Sequence, residues 1–549
     1  MSPLHGNAGG TALGKKLLAT TAAALTLGLA GPALAGGSLV TALDMGPGGD
    51  EDARPWSSGA GHTTHVKQFI TPTIFNEDLS EIVPYAVESW ESNDDHTVWT
   101  YTLRDGLLWS DGTPMTANDW AFTAEFMTAP DWGGDRPGDR NLSLSEVAGF
   151  DAKTAGEADS LDGIEVIDDR TIQFTLSAPN PRHFASLFRF YILPEHAVDF
   201  EPADFMTTDW FRDPSRFVGS GPFVVAEYAP DEYMTLAANE NYFQGRPALD
   251  ELVIRYFGGD QTAALLALEA DDIDFTYVTE TDVPSLEDDY DIFSNLSGVV
   301  VMTRFNYNLV DDAFSDIRVR QAILHAIDRD AITENILGGT YVSIPCPIPY
   351  ADLWPEDVVT YGYDPDRAAS LLQEAGVDPG SISMEWVGHA GYDNTAHNSA
   401  LQAVQAYLSQ IGINDFSYRF VDIPTFRASY SPDGDWQNQY HGFGVPRFGN
   451  DVGRLWSNGG ALGTGVTGYD YDADGFAEAV AAISAAPTID DYNAALGDFC
   501  RLHAEMLPDL QMWVGNRFGA ADPSIENFWW QPAPAGGPYQ DNAHTWAVQ

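Results

Sequence analysis

The residue patterns that could do chemistry are few, and each misses the spacing its chemistry requires. Asp470, Asp472, Asp474 and Gly475 take the first, third, fifth and sixth places of a calcium loop, but the twelfth place, where a bidentate Glu belongs, holds Ala481. The run reads as a solvated helix start. His62 and His65 stand three apart with no Cys or acidic partner at zinc spacing, and read as surface histidines. Gly219-Ser220-Gly221 has Val218 where a nucleophile elbow needs glycine. Gly9 to Lys15 imitates a phosphate loop, yet Lys16 replaces the Ser or Thr that would meet the metal. With 81 acidic residues, pairs of carboxylates carry no information. These patterns assign no catalytic set, metal or cofactor. A secreted hydrolase working through two carboxylates is the distant alternative.

Charge narrows the partners. Against 81 acidic residues stand 26 lysines and arginines, a formal charge of −55, so nucleic acid would be repelled and is not expected as a partner. The N-terminus predicts export: Lys15-Lys16, an apolar run from Leu17 to Ala30, then Gly31, Pro32 and the small-residue site Ala33-Leu34-Ala35. The run is shorter than the roughly 18 residues a membrane span needs. Cleavage after Ala35 and release into the periplasm are expected, with no cysteine nearby to carry a lipid. The two cysteines, Cys346 and Cys500, form one disulfide closing a long loop or remain two buried thiols.

A chain of 549 residues exceeds what one core serves, so two or three lobes must position any site. Val98 to Leu103 alternates, with Trp99, Tyr101 and Leu103 on one face, as in a half-buried strand. Leu107 to Trp109 reads as a second strand between turns at Asp105-Gly106 and Asp111-Gly112. Thr116 with Asp119 resembles a capping box for a helix running to about Met127. A hairpin follows at Ile164 to Leu176, and three strand-like runs lie between Phe223 and Tyr256. Beyond them the pattern turns to alternating helix and strand: helices capped by Asp316, opened by Asp364-Pro365 and closed by Gly376, and carrying Leu401, Val404, Leu408 and Ile411, with a strand at Met384 to Val387. The fold class is α/β.

Several of these stretches occur together in one order. Pro84-Tyr85-Ala86-Val87-Glu88-Ser89-Trp90 is followed by Tyr101-Thr102-Leu103-Arg104-Asp105-Gly106 and by Trp109-Ser110-Asp111-Gly112-Thr113-Pro114; further on come Gly219-Ser220-Gly221-Pro222-Phe223 and Asp316-Ile317-Arg318-Val319-Arg320-Gln321-Ala322. In these the chain resembles the extracytoplasmic solute-binding proteins of family 5, the oligopeptide, dipeptide and nickel type. The resemblance implies a periplasmic binding protein-like clamshell of class II type, with three lobes: lobe I from 36–75, 216–300 and 511–549, lobe II from 76–215 and lobe III from 301–510. It implies a monomer that catalyses nothing, closes on a peptide-like solute and delivers it to the membrane permease of an ABC importer. An oligosaccharide or opine-like solute is the alternative.

The motif residues themselves read as structure: turns, a helix entry, and Arg318 and Arg320 in ion pairs with Asp316 and Asp328. For the ligand, the resemblance points to the stretch from Trp436 to Trp456, where Phe443, Arg447, Phe448 and Asp451 also stand. In peptide-binding relatives an acidic residue after a strand of lobe III pairs with the ligand's α-amino group, which makes Asp451 the candidate acid; the neighbouring Arg447 could instead grip a carboxylate or sugar hydroxyls. Trp386, His389 and Tyr392 follow a predicted strand, where clefts open in α/β lobes, and form a second set.

Overall fold

Alternation of apolar and polar side chains lays down the strands, and two strands much longer than the rest hold them together. The computed structural model describes residues 36–42, 54–55, 67–76, 81–134, 143–258, 260–422, 425–426, 436–445, 452, 455–456, 468–529 and 542–548. The signal segment and its cleavage site, His62, His65, Arg447, Phe448 and Asp451 lie outside these residues.

β1 (Ser38–Ala42) belongs to the main sheet, whereas β2 (Thr73–Phe75) and β3 (Ile82–Pro84) pair only with each other. β4 (Val87–Ser92), β5 (Val98–Leu103), β6 (Ile164–Asp168) and β7 (Thr171–Thr175) make a four-stranded antiparallel sheet in the order β4-β5-β7-β6. On β5 the predicted face of Trp99, Tyr101 and Leu103 is buried and the other face half-buried. Thr116 and Asp119 form the capping box of the helix Ala117–Met127, whose Trp120 packs on Tyr101 with ring centroids 5.4 Å apart. Leu107 to Trp109 is not a strand. Turns with positive φ at Gly106 and Gly112 leave room only for an isolated bridge between Leu108 and Pro114.

β8 (Phe223–Ala229), β9 (Tyr233–Ala238), β10 (Glu251–Arg255), β11 (Phe275–Val278), β12 (Asp291–Phe305), β13 (Tyr341–Ser343), β14 (Ser383–His389), β15 (Asp415–Val421), β16 (Asn438–Gly444) and β17 (Asp509–Ala521) join β1 in one mixed sheet. Its order is β15-β14-β16-β12-β17-β11-β1-β10-β9-β8, with β13 on the β11 side of β17. β18 (Ile525–Glu526) and β19 (Ala547–Val548) form a short ribbon near the C-terminus. Parallel pairing occurs where helices intervene: β14 with β15 across the helix Thr395–Gln410, and β1 with β10 and β11. The helix Ile317–Ala326 starts at Asp316, whose carboxylate accepts the Arg318 N–H, and Pro365–Ala375 ends at Gly376.

Arg318 pairs with Asp316 at 2.5 Å, as its sequence position suggests. Arg320 instead donates to the carbonyls of Phe314 and Met506, and Asp328 caps the helix Arg329–Asn335, so the second expected ion pair is replaced by backbone hydrogen bonds. Asp470 accepts the Ala473 N–H and Asp474 the Tyr469 hydroxyl, just before the helix Phe476–Ala485, so both acids are engaged at a helix start.

β12 and β17 run side by side through the middle of the sheet. Their ladder shifts register twice: Leu296 pairs with Asn516 and Val300 with Val514, so Ser297, Gly298 and Val299 stand opposite Gly515 alone, and Val301 pairs with Trp513 and Met302 with Gln511, which leaves Met512 over. On its other edge β17 changes partner at the same level, from β11 at Phe518–Ala521 to β13 at Trp513–Gly515. Asn516 and Arg517 fall in the gap, where Asn516 donates its N–H to the carbonyl of Thr340. One apolar core gathers around the second half of β12 with β14, β16 and their helices; another joins the four-stranded sheet to β8, β9 and β10; a small third lies under the helix Gln261–Glu269. Cys346 and Cys500 are bonded to each other within the first core, Cα atoms 5.2 Å apart.

Candidate functional site: a polar cavity at the partner switch of β17

A cavity of about 1110 Å³ opens at the gap on β17. Among the described residues, Asn516 and Arg517 have no strand partner on the β11 side of β17, and the segments on either side of that gap diverge around the space. Asn516, Arg517 and Phe518 supply one wall, Tyr277 to Thr281 at the end of β11 a second, Asn335 to Tyr341 leading into β13 a third, and Asn394 to Ser399 at the start of the helix Thr395–Gln410 a fourth. Ten of the 21 lining residues are Thr, Ser, Asn or Gln: Thr262, Thr279, Thr281, Thr340, Thr395, Ser399, Asn335, Asn394, Asn516 and Gln261. Tyr277, Tyr341 and Phe518 add aromatic surface, and Glu280 and Arg517 are the two full charges.

His397 links this cavity to an aromatic cluster between β14 and β16. Asn394 caps its helix by accepting the His397 N–H, which sets the imidazole facing inward. The ring meets Tyr392 edge-on at 4.8 Å, Tyr341 at 6.3 Å, and shares a 2.7 Å hydrogen bond between Nδ1 and the Tyr440 hydroxyl. Burial, with the His389 imidazole adding to it, lowers the His397 pKa to about 4, so the ring is neutral at physiological pH. Burial likewise raises the Tyr440 hydroxyl far above its ordinary value, and raises Tyr341. The lining therefore offers hydrogen bonds, aromatic faces and one charge of each sign. Among the described residues no group of three or more His, Cys, Asp and Glu side chains is placed to hold a metal.

The structure divides the residues singled out in the sequence. His389 and Tyr392 are half-buried and touch at 4.7 Å, with His389 also 5.5 Å from His441. Phe443 lies 4.3 Å from His441 and under the guanidinium of Arg304 at 4.9 Å. These flank the aromatic cluster. Trp386 is 1% exposed and stacks on Tyr440, while Trp436 is buried at the start of β16. Trp456 is fully buried and donates its Nε1–H to Asp509 at 2.8 Å. Asp509 also meets His503, Gln511 and, at 4.0 Å, Arg304; burial alone would raise its carboxyl, but His503, Arg304 and Trp456 together hold it below the usual range. None of these residues lines the cavity. Its own charged and aromatic groups, Glu280, Arg517, Tyr277 and Tyr341, carry no local signal, since they come from chain segments that only the central sheet brings together.

Comparison with known proteins places this geometry. Residues 81–460 match the family model of bacterial extracellular solute-binding proteins, family 5 Middle. A protein of Brucella ovis assigned as an ABC transporter peptide-binding protein is 33% identical over 529 residues, covering 94% of this chain and 95% of its own length. The dipeptide-binding protein of Escherichia coli is 26% identical over 362 residues, 62% of this chain and 63% of that one. The oligopeptide-binding protein AppA from Bacillus subtilis, solved with a nonapeptide, superposes with a TM-score of 0.74 at 22% identity, over 94% of this chain and 99% of that one. NikZ from Campylobacter jejuni, solved with Ni(L-His), gives 0.75 at 20% identity over 93% and 99%. The fold is that of the periplasmic binding proteins. The chain belongs to the bacterial extracellular solute-binding proteins, family 5.

Proposed function

We propose that this chain captures a peptide-like solute outside the cytoplasm and hands it to the permease of an ABC importer. The observation that carries the reading is the cavity at the β17 partner switch. Its volume of about 1110 Å³ exceeds the roughly 300–1,000 Å³ typical of pockets for drug-sized ligands, and its threonines and asparagines match the alternating donors and acceptors of a peptide backbone. The peptide-binding assignment of the Brucella ovis relative supports the same reading. So does the nonapeptide in AppA.

Three lobes suit the mechanism: lobe I from 36–75, 216–300 and 511–549, lobe II from 76–215 and lobe III from 301–510. In this reading β12 and β17 are the crossing segments, bending where Ser297, Gly298 and Val299 oppose Gly515, and ligand contacts on both sides stabilise the closed form. Export would follow cleavage after Ala35. An oligosaccharide is the second reading, favoured by the same hydroxyl-rich lining with aromatic faces at Tyr277, Tyr341 and Phe518.

The test is a thermal-shift and calorimetric screen of the secreted protein against di- to pentapeptides and oligosaccharides. One peptide class should raise the melting temperature in proportion to ligand excess over Kd. Stabilisation by sugars alone transfers the role to the second reading, and turnover of a substrate would overthrow both.

A further inference from the structure

Among the described residues lining the cavity there is one histidine, and its two ring nitrogens have different surroundings. His397 stands in the first turn of the helix Thr395–Gln410 and is only 5% exposed. Its Nδ1 turns into the core, 2.7 Å from the hydroxyl of Tyr440, whose side chain is fully buried. Among the described residues that nitrogen is the only hydrogen-bond partner of the hydroxyl. This decides which group donates. A proton on Nδ1 would leave the buried phenolic O–H with nothing to accept it, whereas a donating Tyr440 leaves neither group unpaired. Burial, with the His389 imidazole adding to it, holds the His397 pKa at about 4, so near neutral pH the ring carries a single proton, and that proton sits on Nε2. In the Tyr101–His183 pair the corresponding nitrogen is sealed in the core without a partner; His397 Nε2 is not sealed and is left to the cavity.

We infer that His397 is a specificity-determining residue that presents Nε2–H to the cavity as a fixed donor and selects solutes with an uncharged carbonyl oxygen at that point, Tyr440 being the positioning residue that holds the tautomer. The inference rests on the peptide reading above and names a backbone carbonyl as the group that is read. A neutral imidazole free to choose its tautomer donates or accepts at either nitrogen and discriminates little. One whose Nδ1 is committed as an acceptor can only donate at Nε2. A carbonyl satisfies that donor, whereas an apolar group or a pure donor in the same place leaves the N–H buried and unpaired once water is displaced. The neutral ring brings no charge to offset a carboxylate, so an amide oxygen is the closer match. Its orientation is held from several sides: Tyr392 meets it edge-on at 4.8 Å, Tyr341 stands at 6.3 Å, and Asn394 accepts its backbone N–H.

Two measurements test it on the full secreted chain. In the isotope-labelled protein, long-range proton–nitrogen NMR correlations of the His397 ring, assigned by their loss in His397→Gln, should place the proton on Nε2 and stay unchanged between pH 7 and pH 5. Tyr440→Phe should release a mixture of both tautomers. A proton on Nδ1 in wild type, or protonation of the ring near its ordinary value of about 6.5, overturns the inference. The second measurement is isothermal titration with tri- and tetrapeptides in which each amide in turn is replaced by a trans alkene, which keeps the shape and removes the carbonyl oxygen. In wild type one replacement should weaken binding by about tenfold, the scale of one unmade hydrogen bond. That loss should vanish in His397→Phe and shrink in Tyr440→Phe. Alkene losses of equal size in wild type and His397→Phe at every position overturn the inference while leaving peptide capture standing. Failure of wild type to bind any peptide removes the reading and the inference with it. Thermal melts of the unliganded variants establish that each is folded, and the tautomer measurement on wild type needs no variant to bind.

Discussion

Two buried tyrosine–histidine pairs, one in the four-stranded sheet and one beside the cavity, are nearly alike in geometry and unlike in setting. Tyr101 meets His183 Nδ1 at 2.8 Å, and Tyr440 meets His397 Nδ1 at 2.7 Å. Both imidazoles are held neutral by burial, His183 to a pKa of about 3 and His397 to about 4. Around His183 the rings of Trp99, Tyr101 and Phe174 close the space, and its Nε2 is buried without a hydrogen-bond partner. Around His397 the rings of Tyr341, Tyr392 and Tyr440 leave one side on the cavity. The same hydrogen bond thus serves as core in one place and as the back wall of the cavity in the other. What differs is the sheet behind it: β5, which carries Tyr101, pairs with β7 without a register shift, whereas β17 changes partner.

The largest test of this contrast is the disulfide, which lies only in the core that holds His397. A Cys346→Ser, Cys500→Ser chain loses a closed loop of 154 residues, a loss of about 5 kcal/mol by chain entropy. Calorimetry should show the transition of the cavity half moving down while the half containing His183 keeps its melting temperature; a single transition that shifts as a whole would show that the two cores unfold together.

Acid should act on both pairs, in unequal windows. A histidine whose folded pKa lies below its ordinary 6.5 binds its proton first in the unfolded chain, so stability falls as pH falls between those values, by roughly 1.4 kcal/mol per pH unit for each site. His397 contributes from about 6.5 down to about 4, and His183 continues to about 3. Urea melts between pH 7 and pH 4.5 should therefore flatten in His183→Gln and in His397→Gln. An unchanged slope in either variant would mean that its imidazole is already protonated in the folded chain.

The smallest effect separates the two settings most directly. Tyr101→Phe strands a sealed ring nitrogen and should cost about 1–3 kcal/mol, whereas after Tyr440→Phe water entering from the cavity can replace the lost bond, for a cost of about 1 kcal/mol or less. Equal costs in chemical denaturation would erase the distinction between core and wall.

The sequence shows the first setting more clearly than the second. Trp99, Tyr101 and Leu103 declare their face by alternation, and Thr116 with Asp119 declares the helix that covers it, because both signals act over a few residues. Strand Met384 to Val387 and the helices from Asp316 and Asp364 are legible for the same reason. Leu107 to Trp109 misleads because two tight turns look like strand ends. The cavity is hidden: Glu280, Thr340, His397 and Arg517 belong to four separate segments, and only the partner switch on β17 gathers them. Aromatic residue type misdirects as well. Trp386 and Trp456 look like platforms for a ligand, yet their faces are covered by Tyr440, Phe416 and Phe499. His389 and Tyr392 come nearest, with Tyr392 edge-on to His397 of the wall itself.

The missing rungs between β12 and β17 bear on how that ribbon would bend in the proposed closure. A straight antiparallel pair resists twisting because each degree strains a bond already made. Here Ser297, Gly298 and Val299 form no ladder pair with β17, so a bend at this level would strain fewer strand bonds than one elsewhere along the ribbon, and the stretch lies next to Asn516 and Arg517 of the cavity wall.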